Sequence, residues 1–186
     1  RIGGKYTQAI NKLKAGDSVN VRGPFGGFVF DAPQQQNVVF CAGGIGITPF
    51  MSMLRFASTT NLKNNITLLY SVRNQDEVAY YKEINQIATL HPNIRVFFVV
   101  GEGPIDKIHL SNYIFQGRIN PEMLAKACDE NYKNTTFFLC GPPPFMGAVV
   151  SMIKKSGADA SHIITEAFNQ GKQKGTGRGW PFNMYT

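Results

Sequence analysis

The sequence predicts an α/β fold in which a parallel, doubly wound sheet follows the end of a β-rich piece. From residue 37 onward, short apolar runs alternate with helical patterns, an order that is typical of parallel sheets. The apolar runs occupy residues 38–42, 66–72, 94–100, 135–140 and 163–168. Three glycines follow the first run, which indicates a tight turn between a strand and a helix. Ligands of such sheets bind beyond the carboxyl ends of the strands, so we expect a site there.

Length, charge and cysteine content exclude several classes of protein. The 186 residues suffice for one domain or one and a half, and the net charge of +7 favours acidic partners. No nucleic-acid module is visible, so we expect no nucleic acid partner. The three cysteines have neither disulfide-framework nor metal-ligand spacing, which predicts no metal site. No apolar run of about 18 residues occurs, so we expect no membrane span and a location in the cytoplasm or at the cytoplasmic face of a membrane.

Residues 1–34 differ in character from the rest of the chain. We predict a short helix over residues 8–13, a strand over residues 18–22 and an aromatic turn over residues 23–28. About thirty residues cannot build a hydrophobic core alone. We therefore divide the chain into the end of a β-rich domain (1–34), an α/β domain (35–168) and a basic, glycine-rich tail (169–186).

The turn after the first apolar run has the composition of a phosphate-binding loop. It contains Gly43, Gly44 and Gly46, and Thr48 and Pro49 stand where the following helix begins. Thr48 suits the N-cap of that helix, and Pro49 suits its first turn, where a missing N–H costs nothing. A helix N-terminus offers N–H groups and partial positive charge to a phosphate, and glycines allow its close approach. The alternative is a strand-to-helix turn that binds nothing.

Helices are predicted between the remaining strands. Residues 76–90 have a helical pattern, and its inward positions are Val78, Tyr81, Ile84, Ile87 and Ala88. Asn120 and Pro121 are typical of an N-cap and a first helical position, and that helix ends near Asp129. A last helix covers residues 144–156, and we expect residues 103–116 to be irregular.

Four blocks of the chain stand out together: AGDSVNVRGPFGGF at residues 15–28, CAGGIGITPFMSML at 41–54, LLYSVRNQDEVAYYKEI at 68–84, and the block at 137–168 that begins FFLCGPPPF. In this order they resemble the ferredoxin–NADP reductase superfamily of flavoproteins. They are similar, in turn, to the end of its flavin-binding β-barrel, its pyrophosphate loop, its second strand and helix, and its nicotinamide-side motif with the C-terminal strand. Four ordered blocks are far more specific than any single motif.

The resemblance implies two phosphate-binding sets. The positions that bind the flavin diphosphate are matched by Gly4, Lys5 and Thr7. For these residues the alternative is an ordinary turn at the start of a helix. The positions that bind the dinucleotide pyrophosphate are matched by Gly43, Gly44, Gly46 and Thr48. The family's Arg-x-Tyr-Ser/Thr flavin motif is absent and would precede Arg1, so this chain is expected to lack half of the flavin site.

The resemblance also implies the residues around the reacting rings. The nicotinamide is flanked by the positions of Cys140, Gly141, Pro142 and Pro143. The flavin is flanked by the positions of Glu166 and Phe168. Cys140 and Glu166 are therefore the implied catalytic residues. The alternatives are a buried cysteine at the end of a strand and a Phe168 that belongs to the core.

The activity implied by the resemblance is electron transfer from NADH or NADPH through FAD to an acceptor, either a redox protein or a small molecule. One alternative is a non-catalytic dinucleotide-binding module, and another is the soluble arm of a larger membrane-associated reductase. The tail carries Trp180, Phe182 and Tyr185, which are flat enough to stack on a flavin or an adenine. A tail without a binding role is the alternative.

Preference between the two nucleotides is predicted from the residues after the second and third strands. In the family, residues after the third strand lie at the adenine ribose, and here these are Gly101 and Glu102. A glutamate accepts a hydrogen bond from a ribose hydroxyl but repels a 2′-phosphate. Arg73, with help from Ser71, would favour the phosphate instead, unless it is a solvated loop charge. We expect a preference for NADH, because Glu102 matches the discriminating position more directly.

Overall fold

The structure is a computed structural model that describes residues 4–23, 25–108 and 113–167. Within these ranges, six strands form one parallel sheet in the order β4-β3-β2-β1-β5-β6. The strands are β1 (Asn37–Gly43), β2 (Asn65–Val72), β3 (Ile94–Val100), β4 (Tyr113–Gln116), β5 (Thr136–Gly141) and β6 (Ile163–Ala167). The helices are α1 (Lys5–Ile10), α2 (Ile47–Thr59), α3 (Tyr81–Leu90), α4 (Pro121–Ala127) and α5 (Pro143–Lys155). The predicted parallel α/β fold is confirmed.

The central strands are apolar throughout because helices cover both faces of the sheet. On one face, Phe40 and Leu68 pack in a core cluster with residues of α2 and α3. On the other face, Val39 and Phe97 pack in a second cluster with residues of α4 and α5. Because both faces are buried, the strands do not alternate between polar and apolar residues. Continuous apolar strands of this kind are typical of parallel sheets.

The segment that precedes the sheet is only partly joined to it. Phe28 packs edge-on against Phe138 at 5.4 Å, and Phe30 packs edge-on against Phe40 at 5.7 Å. These rings belong to the α/β core, although they precede residue 35, and the boundary itself stays a prediction. The predicted strand over residues 18–22 is wrong, because these exposed residues pair with no strand in the described ranges, and a lone strand is not stable in water.

Helix α3 begins later than predicted because the chain first makes a separate turn. Residues Gln75–Glu77 form a 3-10 turn, whose Asp76 N–H donates to the side chain of Asn74 at 3.1 Å. The Ala79 N–H then donates to the Tyr70 hydroxyl at 3.2 Å, and Tyr80 adopts a left-handed φ of 60°. The inward face is confirmed, since α3 buries Ile84 and Ile87 and the other three predicted residues are partly buried.

The predicted helix over residues 8–13 lies earlier, at Lys5–Ile10, because the Thr7 hydroxyl accepts the Gly4 N–H and so begins the helix there. The start of α4 agrees with the sequence, and the start of β4 does not. Asn120 caps α4 by accepting the Met123 N–H at 2.9 Å, and Pro121 is the first helical residue, as predicted. The prediction that residues 103–116 are irregular is wrong at its end, because β4 pairs with β3 along Phe97–Val100. Among the described residues, no helix is both long and apolar enough to cross a bilayer.

Candidate functional site

The carboxyl ends of the central strands meet at one edge of the sheet, as predicted. Gly43, the last residue of β1, is the register partner of Ser71 in β2, and Ala42 is the partner of Cys140 in β5. The chain moves from β1 to β2 on one side, whereas β5 lies on the other side, so β1 and β5 flank the topological switch point. Ligands of doubly wound sheets bind in the crevice at such a point.

The turn between β1 and α2 closes tightly because Gly46 has no side chain. Residues Gly44–Gly46 form a 3-10 turn that leads directly into α2. A Cβ atom at Gly46 would overlap the backbone carbonyl of Cys140 and lie 2.8 Å from the Gly141 nitrogen. The start of α2 therefore packs directly against the end of β5, which brings the two predicted nucleotide segments together.

Positions 43 and 141 leave no room for a side chain, because an aromatic ring occupies the space beside both glycines. A Cβ atom on Gly43 would lie 2.8 Å from Cδ1 of Phe145, and one on Gly141 would lie 2.9 Å from the same atom. Phe145 is in the first turn of α5, after the N-cap Pro142 and the first helical residue Pro143. These two glycines thus have a packing reason that is independent of any ligand.

Gly44 is required by backbone conformation rather than by packing. Its φ is +54°, and a Cβ atom there would meet nothing within 4 Å. The predicted N-cap role of Thr48 is wrong, since Gly46 precedes the helix and Thr48 is its second residue. The Thr48 hydroxyl donates to the Ile45 carbonyl at 3.2 Å. The 3-10 turn begins helical hydrogen bonding earlier than the position of Thr48 indicates, which displaces the cap.

The Cys140 side chain lies in the core, with no exposed surface. It belongs to the cluster on the α2 side of the sheet, together with Phe138. Burial raises the pKa of the Cys140 thiol to about 11, and the charge of Glu166 adds to this shift. The thiol therefore stays protonated at neutral pH and is not a nucleophile in this conformation.

A groove of about 320 Å³ lies along β6, the strand next to the one that carries Cys140, on the α2 side of the sheet. Its lining residues are Gly27, Phe28, Ile164, Thr165 and Glu166. Glu166 is exposed and is the register partner of Cys140 in the neighbouring strand. Phe28 is held edge-on against Phe50 at 5.8 Å. The groove thus combines an aromatic wall with a carboxylate next to the switch point.

The two residues predicted to discriminate between nucleotides form an ion pair with each other. The Arg73 Nε lies 3.2 Å from Oε2 of Glu102, and both side chains are about 70% exposed, at 72% and 68%. The Glu102 N–H also donates to the Arg73 carbonyl at 2.7 Å. Ser71 is half-buried, two residues before Arg73 in β2. Arg73 and Glu102 therefore form an exposed ion pair in which the two opposite charges lie side by side.

Gln75 is a polar residue of this edge that the sequence analysis missed. Its side chain is only 8% exposed. The Nε2 group donates to Asp106 Oδ1 at 2.6 Å, and Oε1 accepts the Lys107 N–H at 2.9 Å. A glutamine in a loop gives no sequence signal of this kind, because the two partners come from a different loop.

Several predicted residues lie away from this edge or outside the described ranges. Gly4 precedes α1, where its N–H donates to the Thr7 hydroxyl at 3.2 Å and Lys5 is exposed. The flavin role of Gly4, Lys5 and Thr7 stays a prediction. Phe168 and the tail at residues 169–186 lie outside the described residues. Across the described part of the chain, no group of three or more His, Cys, Asp or Glu could hold a metal ion.

Two known reductases are similar to this chain over most of its length. The glycine betaine monooxygenase reductase subunit of Chromohalobacter salexigens is 32% identical over 157 residues, which cover 84% of this chain and 42% of that protein. NADH-cytochrome b5 reductase 1 of Lodderomyces elongisporus is 25% identical over 169 residues, which cover 90% of this chain and 55% of that protein. The chain thus spans about half the length of these relatives.

A solved structure and a family model also match this chain. The cytochrome b5 reductase domain of Ulva prolifera nitrate reductase superposes with a TM-score of 0.75 at 26% identity, over 88% of this chain and 66% of that one. The family model of the oxidoreductase NAD-binding domain matches residues 40–151, which include the end of β1, the glycine turn and most of α5. The chain therefore belongs to the oxidoreductase NAD-binding domain family, within the ferredoxin–NADP reductase superfamily.

Proposed function

We propose that this chain forms the nicotinamide-nucleotide half of a flavin-dependent oxidoreductase, which passes electrons from NADH or NADPH through FAD to an acceptor. The observation that carries the proposal is the glycine turn at residues 43–46. This turn stands at the N-terminus of α2 and packs against the end of β5, at the switch point of a parallel sheet. A dinucleotide binds at that position in folds of this kind.

The turn provides what a pyrophosphate requires. The 3-10 turn at Gly44–Gly46 runs directly into α2, so the N–H groups of this turn stand at the start of one helical stretch, where the helix dipole adds partial positive charge. The space beside Gly44 is open, so a phosphate would meet backbone rather than a side chain. The exposed Pro142 and Pro143 form a rigid edge at the start of α5 for the nicotinamide end.

The lining of the groove suits the flavin ring of FAD, because a flat ring with polar edges needs apolar contact on its face and hydrogen-bonding groups at its rim. Phe28 would supply the apolar contact, and Thr165 and Glu166 would supply the hydrogen-bonding groups. When bound, FAD would supply the redox chemistry, accepting two electrons and releasing them singly. Cys140 would contribute a small, protonated neighbour that excludes water from the reacting edge.

The acceptor is proposed from the relatives. One is the reductase subunit of a monooxygenase and another is a reductase of cytochrome b5. Both names describe reductases that serve a second protein component. We propose that electrons from this chain likewise leave through a redox protein, with a small acceptor as the second possibility. The net charge of +7 would favour an acidic partner.

Titration of the chain with NADH, followed by anaerobic mixing with FAD and NADH, tests the proposed function. We expect NADH to bind with a micromolar dissociation constant and to bleach the flavin absorbance. The Cys140→Ser variant should bind NADH normally and bleach the flavin more slowly. NADH binding without bleaching would favour a non-catalytic dinucleotide module, and absence of NADH binding would contradict the proposal.

We further propose that the chain prefers NADH to NADPH. The Arg73–Glu102 pair supports this, because a cation that is already paired has little net charge to offer to a 2′-phosphate. The pair itself adds little stability, since both side chains are largely exposed. Its importance lies in the charge that a nucleotide meets at this edge.

Removal of the Glu102 charge should reduce the preference for NADH over NADPH. In the Glu102→Gln variant, Arg73 is free to pair with a 2′-phosphate, so we expect NADPH to bind about tenfold more tightly than to the parent chain. NADH affinity should change by about twofold at most. Arg73→Gln is the matched control and should increase the preference for NADH over NADPH, because only the negative charge of Glu102 remains. Calorimetry with both nucleotides measures these constants, and an NADPH preference in the parent chain would show that Arg73 dominates.

A further inference from the structure

The loops that follow β2 and β3 carry the Arg73–Glu102 pair, and backbone bonds and exposed ion pairs join the described parts of these loops. The β2–β3 ladder ends at Val72 and Val100. Beyond it, the Gly101 N–H donates to the Val72 carbonyl at 3.0 Å. Arg73 and Glu102 then meet through one backbone bond and one exposed ion pair. Exposed polar contacts of this kind hold a loop only weakly.

Gln75 provides the buried connection between these two loops. Its carboxamide donates to Asp106 and accepts from the Lys107 backbone, so both of its polar ends are used. The Lys107 ammonium also pairs with Asp76 at 2.7 Å, but that pair is exposed and screened by salt. The Gln75 contacts combine burial with hydrogen bonding at both ends of the carboxamide, which makes the loss of either one costly.

We propose that Gln75 is a positioning residue for nucleotide binding: it fixes the loop after β3 against the loop after β2 and so sets the separation of Arg73 and Glu102. This inference rests on the proposed function, because it assumes that the nucleotide's adenosine end binds between these loops. Gln75 itself need not contact the nucleotide. It acts through the geometry of the charged pair that does.

The amide of Gln75 suits both of its contacts. It donates to Asp106 and accepts from the Lys107 N–H, and it carries no charge of its own. A leucine would leave the Lys107 N–H without its acceptor. A glutamate would satisfy Lys107 but would place a second carboxylate against Asp106, which repels it.

The first test compares Gln75→Leu with Asn64→Leu. Asn64 is also a buried carboxamide, at 5% exposure, whose Nδ2 donates to the Ala32 and Gln35 carbonyls at the opposite edge of the sheet. Both variants lose a buried amide, so we expect similar falls in the unfolding midpoint. Only Gln75→Leu should weaken NADH binding, by about tenfold, while Asn64→Leu should stay within about twofold of the parent.

The second test restores the contact with its polarity reversed. Gln75→Glu alone should weaken NADH binding at least as much as the leucine variant. Combined with Asp106→Asn, the carboxylate at position 75 regains a donor, and affinity should return to within about twofold of the parent. In the flavin-loaded protein, Gln75→Leu and Gln75→Glu should raise KM for NADH and leave kcat unchanged, whereas the combined variant should have the parent's KM.

The outcomes separate this inference from the proposed function. A parent chain that fails to bind NADH overturns the proposed function and, with it, the role of Gln75. A parent that binds NADH, with Gln75→Leu equally tight, overturns the positioning role alone. Equal loss of affinity in Asn64→Leu would show a general effect of stability and would also overturn it.

Discussion

Replacement of Gly46 by alanine is expected to lower the free energy of unfolding by about 3 kcal/mol and to remove measurable dinucleotide binding. The added methyl group would overlap the carbonyl of Cys140, which is a backbone group and cannot rotate out of the way. The start of α2 would have to move away from β5. This movement displaces the helix N-terminus from the switch point, so stability and affinity should fall together. Urea denaturation and NADH calorimetry measure the two effects.

Gly147→Ala is the matched control for this prediction. Gly147 lies inside α5, and a Cβ atom there would meet nothing within 4 Å. The same chemical change should therefore stabilise the chain by about 0.5–1 kcal/mol, because alanine is a better helix former. NADH affinity should not change. A Gly46→Ala variant as stable as the parent would contradict the proposed role of this close contact.

The sheet could be predicted from sequence because its central strands are continuous apolar runs. Residues 38–42 and 94–100 fall within β1 and β3, and both strands are buried almost throughout. Such runs are informative only together with the helical patterns between them, which indicate parallel pairing. β4 was missed because it has four residues, lies at the edge and is only partly buried. A short edge strand has too few positions to show the alternation of apolar and polar residues that indicates a strand.

The local start of each helix was harder to predict when a tertiary contact decided it. Asn120 forms its cap within its own segment, so the sequence pattern was sufficient. Thr48 has the composition of a cap, but the 3-10 turn before it already supplies the helical geometry. The delayed start of α3 depends on the hydroxyl of Tyr70, nine residues before its partner Ala79. The helix propensities of single residues do not take contacts of this kind into account.

The sequence predicts which positions meet at the carboxyl ends of the strands, but it does not predict their contacts. Parallel pairing implies that the ends of β2 and β3 meet, which brings Arg73 and Glu102 to one edge. Their pairing, and the Gln75–Asp106 contact, depend on loop conformations that the sequence does not specify. For Cys140, the alternative of a buried cysteine at the end of a strand describes the side chain, since it has no exposed surface.

Gly44→Val is expected to weaken NADH binding about a hundredfold while the fold survives. Gly44 has a left-handed φ of +54°, and open space surrounds the position of its absent side chain. A valine there costs about 1–2 kcal/mol of backbone strain and projects a branched side chain into the space proposed for the pyrophosphate.

Strain and obstruction can be separated with Gly157→Val as the control. Gly157 follows α5, also has a left-handed φ, of +89°, and a Cβ atom there would likewise meet nothing within 4 Å. Both variants should therefore lose similar stability, because both force a β-branched residue into the left-handed region. Only Gly44→Val should lose affinity, since only its side chain would stand at the N-terminus of α2. If calorimetry gives both variants the parent's dissociation constant, the pyrophosphate does not pass over Gly44 and the turn is structural.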